Sequence, residues 1–559
     1  MTTIAPETGT KISISPRALI AIVTVLVVLG AAVVLIAHHL QPYLRDRAED
    51  MLSSQFRSDV QIDDFHVALL PSLSLRGKGI VLRHHGRTDV PPLLSIGEFY
   101  GSASWWSLVG NPWRIHEVTL KGLKIQIPPR EKREGGLMRN FKSKREVKIK
   151  IDKLASDDAE LDILPGDPDK PVHQFLIYHL RMHDIGPGHG APFEADLTNA
   201  IPPGEIRVKG NFGPWSAYDP RTTPLSATYT FEKADLNAIK GISGILSSGG
   251  KFGGVLEKIE VQGQTTTPDF SVDTADRPVM LKTEFSATVD GTNGDTLLHP
   301  VIAHFGKSTL ICNGAIVKPK DRSRQGKEVV LEVAANDARI EDLLRLVVKS
   351  DKALLTGNVD LRTKFDLPPA KGQPVIDRLN LNGNFGLADA QFSDPKVREK
   401  VEDLSRRGQG HPNDQDAGDS LSQLKGGFTL RDGTITLRDL NFSVTGASVQ
   451  LNGSYGLRNE ELDFHGKLRM QAKPSQAVTG VKSWLLKPFD PFFRKNGVTE
   501  VPIKVTGDRS HPSFGLDFHR GNKDDTDKNK QEDEHKGKQQ NQKNTHDKKD
   551  IQAQNSQND

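Results

Sequence analysis

From about residue 60 onward the chain alternates apolar and polar residues in short runs. Gly, Asn, Asp or Pro interrupts these runs at roughly ten-residue spacing. Side chains on a strand point to opposite faces in turn, so a period of two predicts half-buried strands. Val279, Leu281, Thr283, Phe285, Ala287 and Val289 alternate without a break, and Asp290-Gly291 follows as a turn. Val359, Leu361, Phe365 and Leu367 repeat the pattern and stop at Pro368-Pro369. Val118 and Leu120 hold one phase; Leu123, Ile125 and Ile127 hold the other. Gly122 stands at the switch and predicts a bulge or bend.

The clearest run lies towards the C-terminus. Phe428 and Leu430 precede the turn Arg431-Asp432-Gly433, and Ile435 and Leu437 follow it. Next come Phe442 and Val444, Val449 and Leu451, and finally Leu462, Phe464 and Leu468. The residues between are polar and the connections short, which predicts an antiparallel meander with one apolar face. That face must leave water, at about 25 cal/mol per Å2. Either a second sheet of the same chain packs on it, or the sheet curls into a groove that holds an apolar ligand such as an acyl chain. Periodicity does not choose between the two.

Residues Ala18 to Ala37 carry no charge. Ala18, Leu19, Ile20, Val23, Leu26, Val27, Leu29, Val33, Leu35 and Ile36 make this run apolar enough for a membrane anchor. At about 1.5 Å per residue a helix of this length matches a hydrocarbon core. A cleaved signal peptide usually has a shorter apolar region, so an uncleaved anchor is the preferred reading. Lys11 and Arg17 precede the run and Arg45 and Arg47 follow it, a balance that sets no orientation. The expected layout is a cytoplasmic segment 1–17, a transmembrane helix 18–37 and a helical stalk 38–58. A β-body would fill 59–390, a helix and loop 391–420, and a meander with an amphipathic helix 421–518. The tail 519–559 holds nine basic and nine acidic residues with Ile551 as its one large aliphatic, a composition that cannot order itself.

Helices are few. Asp337 is expected to cap one through Ile340, Leu343, Leu344 and Val347, and Asp394-Pro395 to open another with Val397, Val401 and Leu404 on one face. A third runs from Ser475 to about Lys487, carrying Val481, Trp484 and Leu485. An aromatic knot with Phe489, Phe492 and Phe493 then ends it, and these six residues are the expected membrane or partner contact. Residues 128–148 carry eight Lys or Arg against three Glu; they read as a solvated loop tip or as a contact for anionic head groups.

Catalytic and metal signals are weak, so neither an enzyme nor a cofactor is expected. Ser248-Gly249-Gly250-Lys251 lacks the phosphate-loop pattern, since Ile245 stands at its first glycine and Phe252 at its Ser/Thr. It reads as a linker from helix to strand. Asp290, Asn293 and Asp295 do not have calcium-loop spacing and read as turns. The adjacent pairs His38-His39 and His84-His85 are no chelate on a strand. The single cysteine, Cys312, excludes an internal disulfide and reads as a packed small hydrophobe. The net charge of +3 gives no basic field for nucleic acid.

Several segments resemble the AsmA family. They include the anchor followed by Phe65–Leu70 and Ser72–Arg83, then Ile96-Gly97-Glu98, Trp105-Trp106-Ser107-Leu108 and Val118-Thr119-Leu120-Lys121-Gly122-Leu123. Near the C-terminus they include Leu451–Leu457, Leu462–Gly466, Val501–Gly507 and His511–Gly515. The likeness covers most of residues 18–518 and rests on order and texture; the charged tail lies outside it. It implies a mainly β fold: a transmembrane helix followed by a long curved antiparallel sheet forming a repeating groove. It also implies an inner-membrane protein with its bulk in the periplasm, conducting phospholipid for outer-membrane lipid homeostasis, with a further envelope protein as a partner. The groove lining would be Val359, Leu361, Leu379, Leu381, Phe428, Leu430, Ile435, Leu437, Phe442, Val444, Val449, Leu451, Leu462, Phe464 and Leu468. The alternative is a structural factor for outer-membrane protein assembly, acting through its β-surface.

Overall fold

The computed structural model describes residues 42–517 except 55, 57, 69–72, 85–86, 109–111, 129–148, 165–171, 217–218, 274, 276, 320–325, 350–352, 354, 370–372, 414–422, 478–486, 488–489 and 509–510. The expected membrane span lies outside these residues. Among the described residues no helix is long and apolar enough to cross a membrane.

The protein is mainly β. The strands are β1 (Ser58–Ala68), β2 (Leu73–His84), β3 (Leu94–Ala103), β4 (Trp113–Ile127), β5 (Ile149–Ile163), β6 (His173–Ile185), β7 (Ala191–Ala200) and β8 (Pro203–Phe212). There follow β9 (Pro224–Asp235), β10 (Ile242–Ser243), β11 (Ile245–Val255), β12 (Lys258–Val272), β13 (Val279–Val289), β14 (Thr296–Phe305) and β15 (Ser308–Val317). Then come β16 (Glu328–Arg339), β17 (Leu355–Leu367), β18 (Asn380–Phe392), β19 (Gln423–Arg431), β20 (Thr434–Val444), β21 (Ala447–Gly456) and β22 (Glu461–Met470). The last are β23 (Arg494–Lys495), β24 (Val498–Asp508) and β25 (Pro512–Leu516). The helices are α1 (residues 42–54), α2 (Ile340–Val347), α3 (Val375–Arg378), α4 (Pro395–Gln409) and α5 (Asp490–Phe493).

Two compact units divide the chain. The first runs to Arg398 and takes in Phe428–Gly433; the second holds Glu399–Gly427 and everything from Thr434 on. The boundary therefore falls inside the expected C-terminal meander. In the first unit each strand from β1 to β18 pairs with the next in sequence, with the two-residue β10 set aside against β12. In the second, β20, β21, β22, β24 and β25 form an antiparallel meander.

One pair departs from the expected antiparallel order. β4 and β5 run parallel, with Trp113 opposite Ile149 and Ile127 opposite Ile163. Parallel neighbours need a connection that returns to the starting end. The basic stretch 128–148, read as a solvated loop tip or a head-group contact, lies outside the described residues apart from Pro128.

The helix expected between residues 38 and 58 is present as α1. α1 packs on the first strands: Leu44 and Met51 are buried, and Leu44 clusters with Val67, Leu73 and Ala103. Glu49 Oε1 accepts from the Ile62 amide at 2.9 Å and Ser53 Oγ from the Val60 amide at 3.2 Å. The edge of β1 away from β2 would otherwise expose these donors, so α1 closes the first edge of the sheet.

The first unit is a wound ribbon. Allowing for the parallel pair, Phe56 lies at the rim where β1 begins, and Trp215 at the opposite rim between β8 and β9. Their rings meet edge to face with centroids 5.9 Å apart. A second meeting has the same sense. Gly241, after β9, belongs to Phe56's rim, and Val375, between β17 and β18, to Trp215's rim. A Cβ on Gly241 would sit 3.9 Å from Val375 Cβ. At both places one rim touches the other about seven strands further on, as happens when tilted, twisted strands roll up.

The winding predicts a crosslink. Benzoylphenylalanine in place of Phe56 should photocrosslink to the peptide carrying Trp215, read by mass spectrometry. Capture only by β1–β2 peptides would show a ribbon whose rims stay apart.

Candidate functional site

The inner face of the sheet is the apolar one. In β8, Ile206, Val208 and Phe212 point to one side and are half-buried, while Glu205, Arg207 and Lys209 are exposed. β9, β11, β12 and β13 continue this alternation. A second sheet packed on such a face would bury those residues almost completely. They remain half-buried across five consecutive strands although the rims of the ribbon meet. The half-burial distinguishes this part of the face from the packed core of the first unit.

Glycines crease the ribbon. A Cβ on Gly210 would lie 2.0 Å from Ser226 O, and one on Gly466 only 1.8 Å from Gln450 O. Aromatic rings on neighbouring strands cover several such glycines: Phe99 over Gly77, Phe285 over Gly263 and Phe464 over Gly453, each directly opposite in register. Removing the side chain lets the sheet bend sharply, and the ring covers the exposed backbone.

A repeated bulge works at one rim. Asp158, Lys233, Asp337 and Asp389 adopt φ between 53° and 58°. Each is followed by an almost fully buried alanine: Ala159, Ala234, Ala338 and Ala390. Two residues further on stand Leu161, Leu236, Ile340 and Phe392. Sequence reasoning missed this motif, Asp/Lys-Ala-x-apolar, although its four copies could have been found by self-comparison. It corrects the reading of Asp337, which occupies the bulge; Arg339 is the N-cap residue of α2, with no side-chain cap bond. Ser248–Lys251 is likewise no linker but the middle of β11.

The expected lining residues separate by burial. In the first unit Val359 and Leu430 are 2% and 3% exposed and belong to packed core. Leu361, Leu381 and Phe428 are half-buried on strands, whereas Leu379 is the C-cap residue of α3. Leu361 lies opposite Phe385, whose ring meets Phe428 at 6.3 Å. In the second unit Val401 and Leu404 of α4, together with Phe442 and Leu468, pack against a core cluster that contains Val444. Val397 of the same helix is exposed. Ile435, Leu437, Val449, Leu451 and Leu462 are half-buried on the meander's apolar face, and Phe464 is buried on it. Of the expected contact residues, Val481, Trp484, Leu485 and Phe489 lie outside the described residues, as does most of the third helix. Phe492 and Phe493 belong to α5, with Phe493 half-buried.

The outer face carries cross-strand ion pairs such as Lys209–Glu194, Lys233–Glu205 and Lys364–Glu332. Exposed pairs of this kind contribute little stability each. One cluster has a definite polarity. His465 Nδ1 lies 2.7 Å from Asp517 and Nε2 3.0 Å from Asp463. The Asp517 hydrogen bond, joined by Asp463, raises the His465 pKa above its ordinary value. Asp517 immediately follows β25, so the charged imidazole ties down the last strand. Among the described residues no group of His, Cys, Asp and Glu could hold a metal ion. Burial pushes the Cys312 thiol up and away from reactivity.

No family model, curated protein or solved structure matches this chain.

Two outcomes follow. Gly466→Ala should destabilise the second unit by about 1–3 kcal/mol, since the clashing partner is backbone; a melting curve unchanged from the parent would refute the crease. The His465 tie is complete below the ordinary histidine pKa of about 6.5 and is lost as pH rises through the raised value. Hydrogen exchange of residues 511–517, corrected for its intrinsic pH dependence, should show less protection at pH 8.5 than at pH 6. His465→Gln should remove that difference.

Proposed function

We propose that this chain is a non-enzymatic, membrane-anchored carrier of lipid acyl chains, held by the Ala18–Ala37 helix with its β-body in the periplasm. The observation that carries the reading is the apolar face, which stays half-buried over five strands among the described residues. Such a surface is costly in water, and an acyl chain relieves that cost at about 0.8 kcal/mol per methylene without any special polar partner. Continuity of the face across sequential strands suits a ligand that slides. The AsmA-like segments agree with a phospholipid cargo moving towards the outer membrane.

The last described strand favours a protein partner as well. Phe514 is 71% exposed on β25. A strand of another envelope protein would pair there, so carriage and an assembly role through the β-surface are compatible.

Lipid extracted from the purified full chain should exceed that from an unrelated single-span protein prepared in the same detergent. Val208→Asp with Val261→Asp should lower the bound lipid severalfold, while Thr230→Asp on the outer face should not. Lipid content equal to the control protein would sink the carrier reading.

A further inference from the structure

The inner face of the first unit is not uniformly apolar. Four hydroxyls interrupt it on adjoining strands: Tyr229 on β9, Ser248 on β11, Thr265 on β12 and Thr283 on β13. Each is half-buried on the inward phase. The register places them together, with Ser248 opposite Thr265, Thr265 opposite Thr283, and Tyr229 opposite Gly250. On the same face lie Leu246, Phe252, Val261 and Phe285.

Their hydrogen bonds leave a remainder. Ser248 Oγ donates to Gln264 O at 3.0 Å and lies 3.2 Å from Tyr229 OH. With the serine hydrogen used, the tyrosine is the donor of that pair. Thr265 Oγ1 and Thr283 Oγ1 lie 2.7 Å apart and share one hydrogen. Three of the four hydroxyl hydrogens are therefore spent within the protein. The fourth, on one of the two threonines, has no acceptor among the described residues. A hydroxyl donor in an apolar lining calls for an oxygen from whatever occupies the space.

The electrostatics select the kind of oxygen. None of the four residues is charged, and the neighbouring Lys251, Lys282 and Glu284 are exposed on the opposite face. Burial raises the Tyr229 pKa, which keeps its hydroxyl neutral. An anionic carboxylate or phosphate would enter with no counter-charge; a neutral carbonyl would not need one.

We propose that Tyr229, Ser248, Thr265 and Thr283 form a polar subsite in the apolar lining, where the free threonine hydroxyl donates to the ester carbonyl of an acylated ligand. This rests on the acyl-carrier reading and adds a preference to it: the cargo is an ester, registered at this point of the face.

The test compares diacyl phosphatidylcholine with its dialkyl ether analogue, which lacks the carbonyls, in binding to the detergent-solubilised full chain. The parent should bind the ester about fivefold tighter, the effect of one hydrogen bond. Thr265→Val with Thr283→Val should bind both lipids alike at the parent's ether affinity, and that retained ether binding shows an intact lining. Methyl oleate should displace bound ester lipid better than oleate does. Equal ester and ether affinity in the parent overturns the subsite, as does a preference that survives the double substitution. Stronger displacement by oleate overturns the neutral ester in favour of a carboxylate. If the parent binds neither lipid, the subsite falls together with the carrier reading; a loss of ester preference alone leaves that reading standing.

Discussion

A sheet with one apolar face must hide that face, and in the first unit the sheet winds until its rims meet. Backbone pairing between consecutive strands builds the ribbon, but it does not bring Phe56 to Trp215 or Gly241 to Val375. Twist and curl do that. The remaining features follow from this constraint. Glycines allow the inner surface to crease, and rings from adjacent strands cover them. Buried alanines after left-handed residues bend the strands at one rim, and charged pairs keep the outer face in water.

Edges are treated unequally. The first edge is closed by α1, which supplies Glu49 and Ser53 to the free amides of β1. The last is held by an ion pair through His465 and carries an exposed phenylalanine. An exposed strand edge is ordinarily a liability.

Much of the local structure was legible. Val279–Val289 was read as one strand and is β13; the start of α4 at Asp394-Pro395 and the turn at Asp432-Gly433 were likewise correct. Those signals are local: a period of two, a proline at a first helical position, a glycine in a turn. The parallel pair β4–β5 was not legible, because register between strands separated by a long connection leaves no mark on either strand. The packing of Val401 and Leu404 of α4 against the Val444 cluster was not legible for a similar reason, since an apolar residue looks the same beneath a helix or beside open space. The four hydroxyls were passed over because Thr265, Thr283, Ser248 and Tyr229 are ordinary strand residues until register sets them side by side.

The sequence by itself determined that this is a β-rich chain with an apolar phase, a charged phase and a membrane-length apolar run near its start. Hydrophobic periodicity encodes these directly, because each residue's facing depends only on its neighbours along the strand. The tertiary structure alone decided which part of the apolar phase is core and which stays half-buried. That outcome depends on curvature summed over many strands, where small bends at separate glycines and bulges bring one rim against the other.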